Sequence, residues 1–144
     1  MAIIRKDAWV PYTSAQMFEL VDKVEDYPYF LPWCQETTIY SRGDKEVKAR
    51  IVVAKGAIRH SFSTVNHLQK PKVIDVHLLE GPFRRLEGSW RFETAERGGC
   101  NIHFHLEFEF SNKLINLTAG PILQKAAGSF IEAFCQRAKE IYGG

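Results

Sequence analysis

The sequence has 144 residues, of which 45% are hydrophobic and 25% are charged. This balance is typical of a folded domain and excludes a disordered chain. Lysines and arginines number 19 against 17 acidic residues, so net charge alone indicates neither a nucleic acid nor an anionic membrane as partner. The longest apolar runs fall short of the about eighteen residues that a membrane-spanning helix needs, and we read no signal peptide.

Cysteine usage adds a second constraint. Cys34, Cys100 and Cys135 are an odd number of cysteines without close spacing, which indicates reduced thiols and gives no metal-binding pattern. No repeat or linker interrupts the chain. We therefore expect one cytoplasmic domain spanning residues 1–144, with no metal and no DNA partner.

The first predicted elements are a strand over residues 3–10 and a helix that begins after Thr13. Thr13 and Gln16 have the spacing of a capping box. We expect this helix to end near Asp26, because Pro28 disfavours helical geometry at the residue before it. Asp26 is then placed to cap a short second helix through the aromatic bend YPYFL.

The middle of the chain has a strand-like period of two. In the last of these strands, residues 100–110, apolar side chains alternate with polar ones, as in an antiparallel sheet with one buried face. Turn signals such as KG, EGPF and RGG separate the strands. The predicted strands lie near 34–42, 45–55, 57–68, 72–80, 85–95 and 100–110.

Residues 112–142 return to helical spacing, with Gly120-Pro121 expected to kink or break the helix. Seven antiparallel strands and one amphipathic helix predict an α+β fold in which a curved sheet wraps around a long C-terminal helix. Such a sheet cannot contact a straight helix along its whole length. We therefore expect a cavity between the two.

Three segments resemble the coenzyme Q-binding and ribosome-association toxin family of the START-like superfamily, which also includes polyketide cyclases. They are VPYTSAQMFELVDKVEDYPYFLPWC at 10–34, EGPFRRLEGSWRF at 80–92 and LTAGPILQKAAGSFIEAFCQRAKEIYG at 117–143. The resemblance implies the helix-grip fold, with two short helices after the first strand. It also implies an apolar pocket under the long helix for ubiquinone or a related prenylated lipid.

Three functions follow from this resemblance. The first is a lipid-binding carrier that supports respiratory quinone function without catalysis or any other cofactor, in transient contact with a membrane and peripheral to the inner membrane. The second is a toxin that blocks the joining of ribosomal subunits. The third is a cyclase-type enzyme, for which His60 and His77 are the candidate acid-base groups.

The predicted site follows from the aromatic bend, the strand around Gly88 and the small residues of the helix. Stiff aromatic side chains suit the mouth of an apolar pocket, and a glycine within a strand indicates a close approach by another group. The same side chains also fit an ordinary core. The candidate pocket residues are Tyr27, Phe30, Leu31, Trp33, Phe62, Leu86, Trp90, Phe104, Phe108, Leu123, Ala127, Phe130 and Phe134.

Polar candidates remain open. His103 and His105 could chelate a metal but share a strand face with glutamates, which favours a solvated surface. Arg84 and Arg85 are candidates for a contact with ribosomal RNA, against a simple solvated outer face. Alternation alone does not settle whether Lys48 and Arg50, in the predicted strand 45–55, point inward.

Overall fold

A computed structural model describes residues 1–143 and contains one antiparallel sheet of seven strands in the order β1-β7-β6-β5-β4-β3-β2. The sheet curves around the C-terminal helices, so the predicted fold is confirmed. Each strand pairs with its neighbour in antiparallel register. The strands are β1 Ala2–Val10, β2 Cys34–Arg42, β3 Glu46–Lys55, β4 Ile58–Gln69, β5 Val73–Glu80, β6 Phe83–Thr94 and β7 Cys100–Phe110.

Helix α1, Ser14–Asp22, begins with the predicted capping box. The Thr13 hydroxyl accepts from the Gln16 backbone at 3.1 Å, and the Gln16 side chain accepts from the Thr13 backbone at 2.9 Å. The predicted end near Asp26 is wrong, because Lys23 leaves helical geometry at ψ 70°. The chain then forms a 3-10 helix over Val24–Tyr29, so the short second helix begins before the YPYFL bend.

The C-terminal region comprises three helices, α2 Lys113–Thr118, α3 Gly120–Gly128 and α4 Phe130–Tyr142. The expected break occurs just before Gly120, and Pro121 occupies the first turn of α3, where its missing N–H costs little. A second break, at Ser129, was not predicted. The Ser129 N–H donates to the carbonyl of Ala126 at 3.0 Å, which tightens the end of α3.

Alternation in β7 places the predicted apolar side chains on the inner face of the sheet, and each of them is buried. At one end of this face α1 packs tightly, with Phe18 and Phe92 in edge-to-face contact at 5.9 Å and Met17 fully buried. At the other end the inner face meets α3. There the packing is incomplete.

The outer face carries the polar residues. Because Ile51 and Val53 of β3 face inward, Lys48 and Arg50 point outward, and Lys48 lies 3.7 Å from Glu46. This settles their direction. No helix within residues 1–143 is long and apolar enough to cross a membrane.

Candidate ligand-binding cavity

A cavity of about 130 Å³ lies between the inner face of the sheet and the helices α3 and α4. Its walls are almost entirely apolar. The lining comprises Tyr27, Leu31, Pro32, Trp33, Cys34, Ile51, Val53, Ala54, Lys55, Ile58, His60, Phe62, Thr64, Asn66, Val76, Leu86, Gly88, Trp90, Phe104, Leu106, Phe110, Ala119, Ile122, Leu123, Ala126, Phe130 and Phe134.

The aromatic bend contributes one wall and also part of the core. Tyr27, Leu31 and Trp33 line the cavity, whereas Tyr29 is 76% exposed. Trp33 has a φ of 60°, a left-handed conformation that is unusual for a bulky side chain. The Lys55 ammonium lies 4.4 Å from the centre of its ring, a cation–π contact that helps to hold the indole at the cavity.

Aromatic rings from the sheet and the helices form the opposite wall. The ring centres of Trp90 and Phe104 lie 4.3 Å apart, and Phe134 meets Trp90 edge-on at 5.1 Å. Phe130 of α4 lies 6.1 Å from Phe104. The rings fix one another, so the wall has a defined shape.

The sequence placed Phe30, Phe108 and Ala127 in the pocket, and the structure does not place them in its lining. Phe30 packs behind the wall against Phe134, at 5.2 Å. Phe108 packs against Phe110 at 6.0 Å in the core. Ala127 is fully buried but is rotated away from the cavity, because one residue turns a helix by about 100°. The other predicted pocket residues line the cavity.

Sequence reasoning missed two groups of lining residues. The first is apolar and includes Ile51 and Val53 of β3 and Ala126 of α3. Alternation in β3 and the spacing of three residues between Leu123 and Ala126 were available signals. The second group is polar and lies on β4.

Strand β4 places His60, Thr64 and Asn66 on the same inward face as Phe62. Thr64 is 2% exposed and Asn66 is 5% exposed. The Thr64 hydroxyl donates to Oδ1 of Asn66 at 3.1 Å. These two side chains are therefore a buried polar pair in an otherwise apolar wall.

The cavity has an open end and a closed end. Lys55 at the β3–β4 turn is exposed, and Trp33 and Ile58 beside it are half-buried. The residues at the far end are buried, among them Asn66, Trp90 and Leu106. The cavity therefore opens beside Lys55 and extends inward along β4.

The lining offers little for catalysis. Burial raises the pKa of the Cys34 thiol to about 11, so this group stays protonated at neutral pH and is a weak nucleophile. His60 faces the cavity, but His77 is exposed beside His67, with ring centres 5.5 Å apart. Of the two candidate acid-base groups, His60 therefore faces the cavity as the cyclase hypothesis requires, and the prediction for His77 is wrong.

The other polar candidates lie on the outer face. Nδ1 of His103 lies 2.5 Å from Asp7 and its Nε2 lies 3.5 Å from Glu93. The hydrogen bond to Asp7 is the main cause of a raised His103 pKa; burial opposes it, and the charges of Asp7 and Glu93 add to the increase. His105 lies 3.4 Å from Glu107. Within residues 1–143, no three His, Cys, Asp or Glu side chains are arranged so that they could hold a metal ion together.

Arg84 and Arg85 are both exposed, because a register shift in β6 interrupts the alternation there. Arg85 contacts Glu107 at 2.8 Å and Glu87 at 3.1 Å. Arg84 lies 3.8 Å from Glu109. Acidic neighbours therefore balance this pair, which does not form the uncompensated basic patch that binding to RNA phosphates favours.

Comparison with known proteins gives several relatives that match over nearly their full length, two of which represent different functional names. The ribosome association toxin RatA of Escherichia coli K12 is 40% identical over 142 residues, covering 99% of this chain and 90% of the relative. The mitochondrial coenzyme Q-binding protein coq10 of Schizosaccharomyces pombe is 28% identical over 144 residues, covering 94% of this chain and 85% of the relative. The match therefore extends well beyond the aromatic bend.

Solved structures give the same fold. The 18 kDa protein CC1736 from Caulobacter crescentus superposes with a TM-score of 0.77 at 34% identity, with full coverage of both chains. A START superfamily protein from Mycobacterium smegmatis superposes with a TM-score of 0.75 at 19% identity, covering 96% of this chain and 98% of its own. Residues 10–135 match the family described as polyketide cyclase / dehydrase and lipid transport. The chain therefore belongs to this family, among the relatives of ribosome association toxins and coenzyme Q-binding proteins.

Proposed function

We propose that this protein binds a prenylated ligand of the quinone class in the cavity between sheet and helices, and carries it without chemical change. The observation that supports this is an apolar space that the fold leaves unfilled and that opens beside Lys55. Protein interiors are normally close-packed. A hollow lined by aromatic and aliphatic side chains is therefore the expected form of a site for an apolar guest.

The size of the cavity limits what it can enclose. A cavity of similar volume in another protein accommodates one benzene ring, so about 130 Å³ holds a ring or a short part of a prenyl chain. A longer tail would extend past Lys55 or widen the cavity. Burial contributes about 0.8 kcal/mol per methylene-sized group, so each isoprene unit that is buried gives about 4 kcal/mol before the costs of binding.

The chemistry of the lining favours binding over catalysis. Within residues 1–143 the cavity wall carries one imidazole, His60, and one thiol, Cys34, and that thiol is protonated at neutral pH. The name of the Schizosaccharomyces pombe relative describes coenzyme Q binding. Both points support a carrier.

The experiment is to purify the protein from its native cell, extract it with organic solvent and identify bound lipids by mass spectrometry. Titration of the delipidated protein with a short-chain ubiquinone should then give saturable binding, detected by calorimetry. Recovery of no lipid, together with the absence of saturable binding, would contradict the proposal.

A second candidate is supported by the similarity to the toxin. The Escherichia coli relative named for ribosome association is 40% identical across 99% of this chain. On this reading the protein would sediment with ribosomal subunits and arrest growth when overproduced. Reversal of charge at Arg84 and Arg85 tests whether they form the contact, and unchanged sedimentation of that variant would exclude them.

A further inference from the structure

The buried polar pair on β4 is the feature that an apolar cavity explains least. Thr64 and Asn66 lie on the inner face of the sheet, 2% and 5% exposed. A buried polar side chain without a hydrogen bond costs about 1–3 kcal/mol. Such groups are therefore expected to find partners, within the protein or in a ligand.

The hydrogen bond within the pair involves the Thr64 hydroxyl and only the oxygen of the Asn66 amide. The Thr64 hydroxyl donates to Oδ1 of Asn66, which leaves the amide nitrogen of Asn66 with two donor hydrogens. Within residues 1–143 the structure shows no hydrogen bond from that nitrogen. Because Asn66 lines the cavity, a donor is available to a ligand there.

The pair lies at one end of the cavity, and its position therefore determines how a ligand would be oriented there. Along β4, Asn66 lies roughly 20 Å from His60 at the rise of an extended strand, and His60 is on the side of the open end. Asn66 pairs across the sheet with Val76, which pairs with Gly88. The closed end is therefore the end that carries the donor.

The wall at the closed end is closely packed around Gly88. A Cβ atom at Gly88 would lie 3.2 Å from Cδ1 of Leu106 and 3.1 Å from the carbonyl of His105, so neighbouring groups approach this glycine closely. Trp90 and Phe104, whose ring centres lie 4.3 Å apart, provide aromatic surface beside it. Aromatic surface of this kind favours stacking or edge-on contact with a ring of the ligand.

We propose that Thr64 and Asn66 form a head-group subsite that takes a ring carbonyl of the ligand. The ligand then enters ring first and leaves its prenyl tail toward Lys55. Thr64 orients the amide by donating to Oδ1, and Nδ2 of Asn66 donates to the carbonyl oxygen. This rests on the proposed function, and it adds selectivity for oxygen-bearing rings to a cavity that otherwise selects only for apolar surface.

The test compares two probes that share a tail of two isoprene units. One is a short-chain ubiquinone and the other is geranylbenzene, whose ring has no oxygen. The variant Asn66→Leu should weaken ubiquinone binding about tenfold and leave geranylbenzene binding unchanged, both measured by calorimetry. Thr64→Val, which has the same shape, should give a smaller loss in the same direction and serves as the second variant if Asn66→Leu does not fold.

Ser63→Ala is the matched control, because Ser63 is equally buried but lies on the outer face of β4. It should change neither affinity. Infrared spectroscopy gives an independent measurement, since a hydrogen bond lowers the carbonyl stretching frequency of bound ubiquinone and Asn66→Leu should reverse that shift.

The outcomes separate this inference from the proposed function. Equal losses for both probes, or no loss for either, would overturn the head-group subsite while leaving ubiquinone binding in place. If the unaltered protein binds neither probe, the proposed function fails and the subsite fails with it.

Discussion

One strand, β6, runs beneath both a solid end and a hollow end of the molecule. Phe92 is 1% exposed and packs against Phe18 of α1. Trp90 lies at the boundary, and Gly88 lines the cavity. Phe92 and Gly88 are two inward positions of one strand that differ by an entire aromatic side chain, and only the position with the aromatic ring lies at the solid end.

The two ends contribute unequally to the stability of the fold. The end under α1 contributes stability, because fully buried side chains make the largest contributions to folding. The end under α3 forgoes some of that contribution, because unfilled space loses dispersion contacts. Substitutions at the two ends should therefore have opposite profiles for stability and ligand binding.

The largest expected effect is at the solid end. Phe92→Ala should lower the free energy of unfolding by about 3–5 kcal/mol, measured by urea denaturation. Phe130→Ala, at a half-buried position in the cavity wall, should lower the free energy of unfolding by about 2 kcal/mol or less. Equal losses at the two positions would show that the ends do not differ as the structure indicates.

Two neighbouring alanines of α3 offer a sharper comparison. Ala126 lines the cavity, whereas Ala127 is fully buried against the core. Ala126→Leu should fill the cavity, abolish binding of a short-chain ubiquinone and raise stability by about 0.5–2 kcal/mol.

Ala127→Leu is the control with the same chemical change. It should overpack the core and lower stability by about 1–3 kcal/mol. Thermal unfolding and calorimetric titration of both variants provide the measurement. Retained ubiquinone binding by a folded Ala126→Leu variant would count against the cavity as the site.

A smaller effect is expected at the mouth. Lys55→Ala removes the cation over the Trp33 ring, a contact worth about 0.5–1 kcal/mol at exposed sites. The indole should then move more freely and ubiquinone should dissociate faster, as measured by stopped-flow fluorescence. Lys48→Ala, on the outer face, is the control, and an equal change in that variant would exclude a specific role for Lys55.

The smallest effect concerns pH and the outer face of the solid end. The hydrogen bond to Asp7 raises the His103 pKa above its ordinary value of 6.5. The charged imidazole therefore stabilises the fold at pH values below that ordinary pKa, and this contribution is lost as pH rises through the folded-state pKa. Because the His103 side chain is 42% exposed, solvent screens the contact, and we expect its contribution to stability to be below about 1 kcal/mol.

Urea denaturation between pH 5.5 and 8.5 checks this prediction. Asp7→Asn should reduce the loss of stability over that range. An unchanged pH profile in the variant would show that the Asp7–His103 contact contributes nothing measurable.

The sequence predicted the regions in which one physical pattern dominates. In β7 every second residue is apolar, which leaves one possible inward face. The break before Gly120 was predictable because proline cannot continue a helix. Ser129 gave no such signal, since the apolar stripe of α3 continues into α4.

The polar part of the cavity was harder to predict because β4 has no clean alternation. Its inward face carries Thr64 and Asn66 beside Phe62, and its outward face carries Ser63 and Val65. Local pattern alone does not separate the two faces. Pairing with Ile51 and Val53 across the sheet identifies the inward one, and pairing is a tertiary property.

The sheet is open, so it has two edge strands that could promote aggregation. β1 and β2 lie at the two margins of the sheet, and unpaired backbone groups there are templates for adding a foreign strand. β1 presents Arg5, Lys6 and Asp7 to solvent, and two register shifts interrupt β2. Charge and irregularity at the margins discourage fibril growth, which protects a protein whose interior is partly empty.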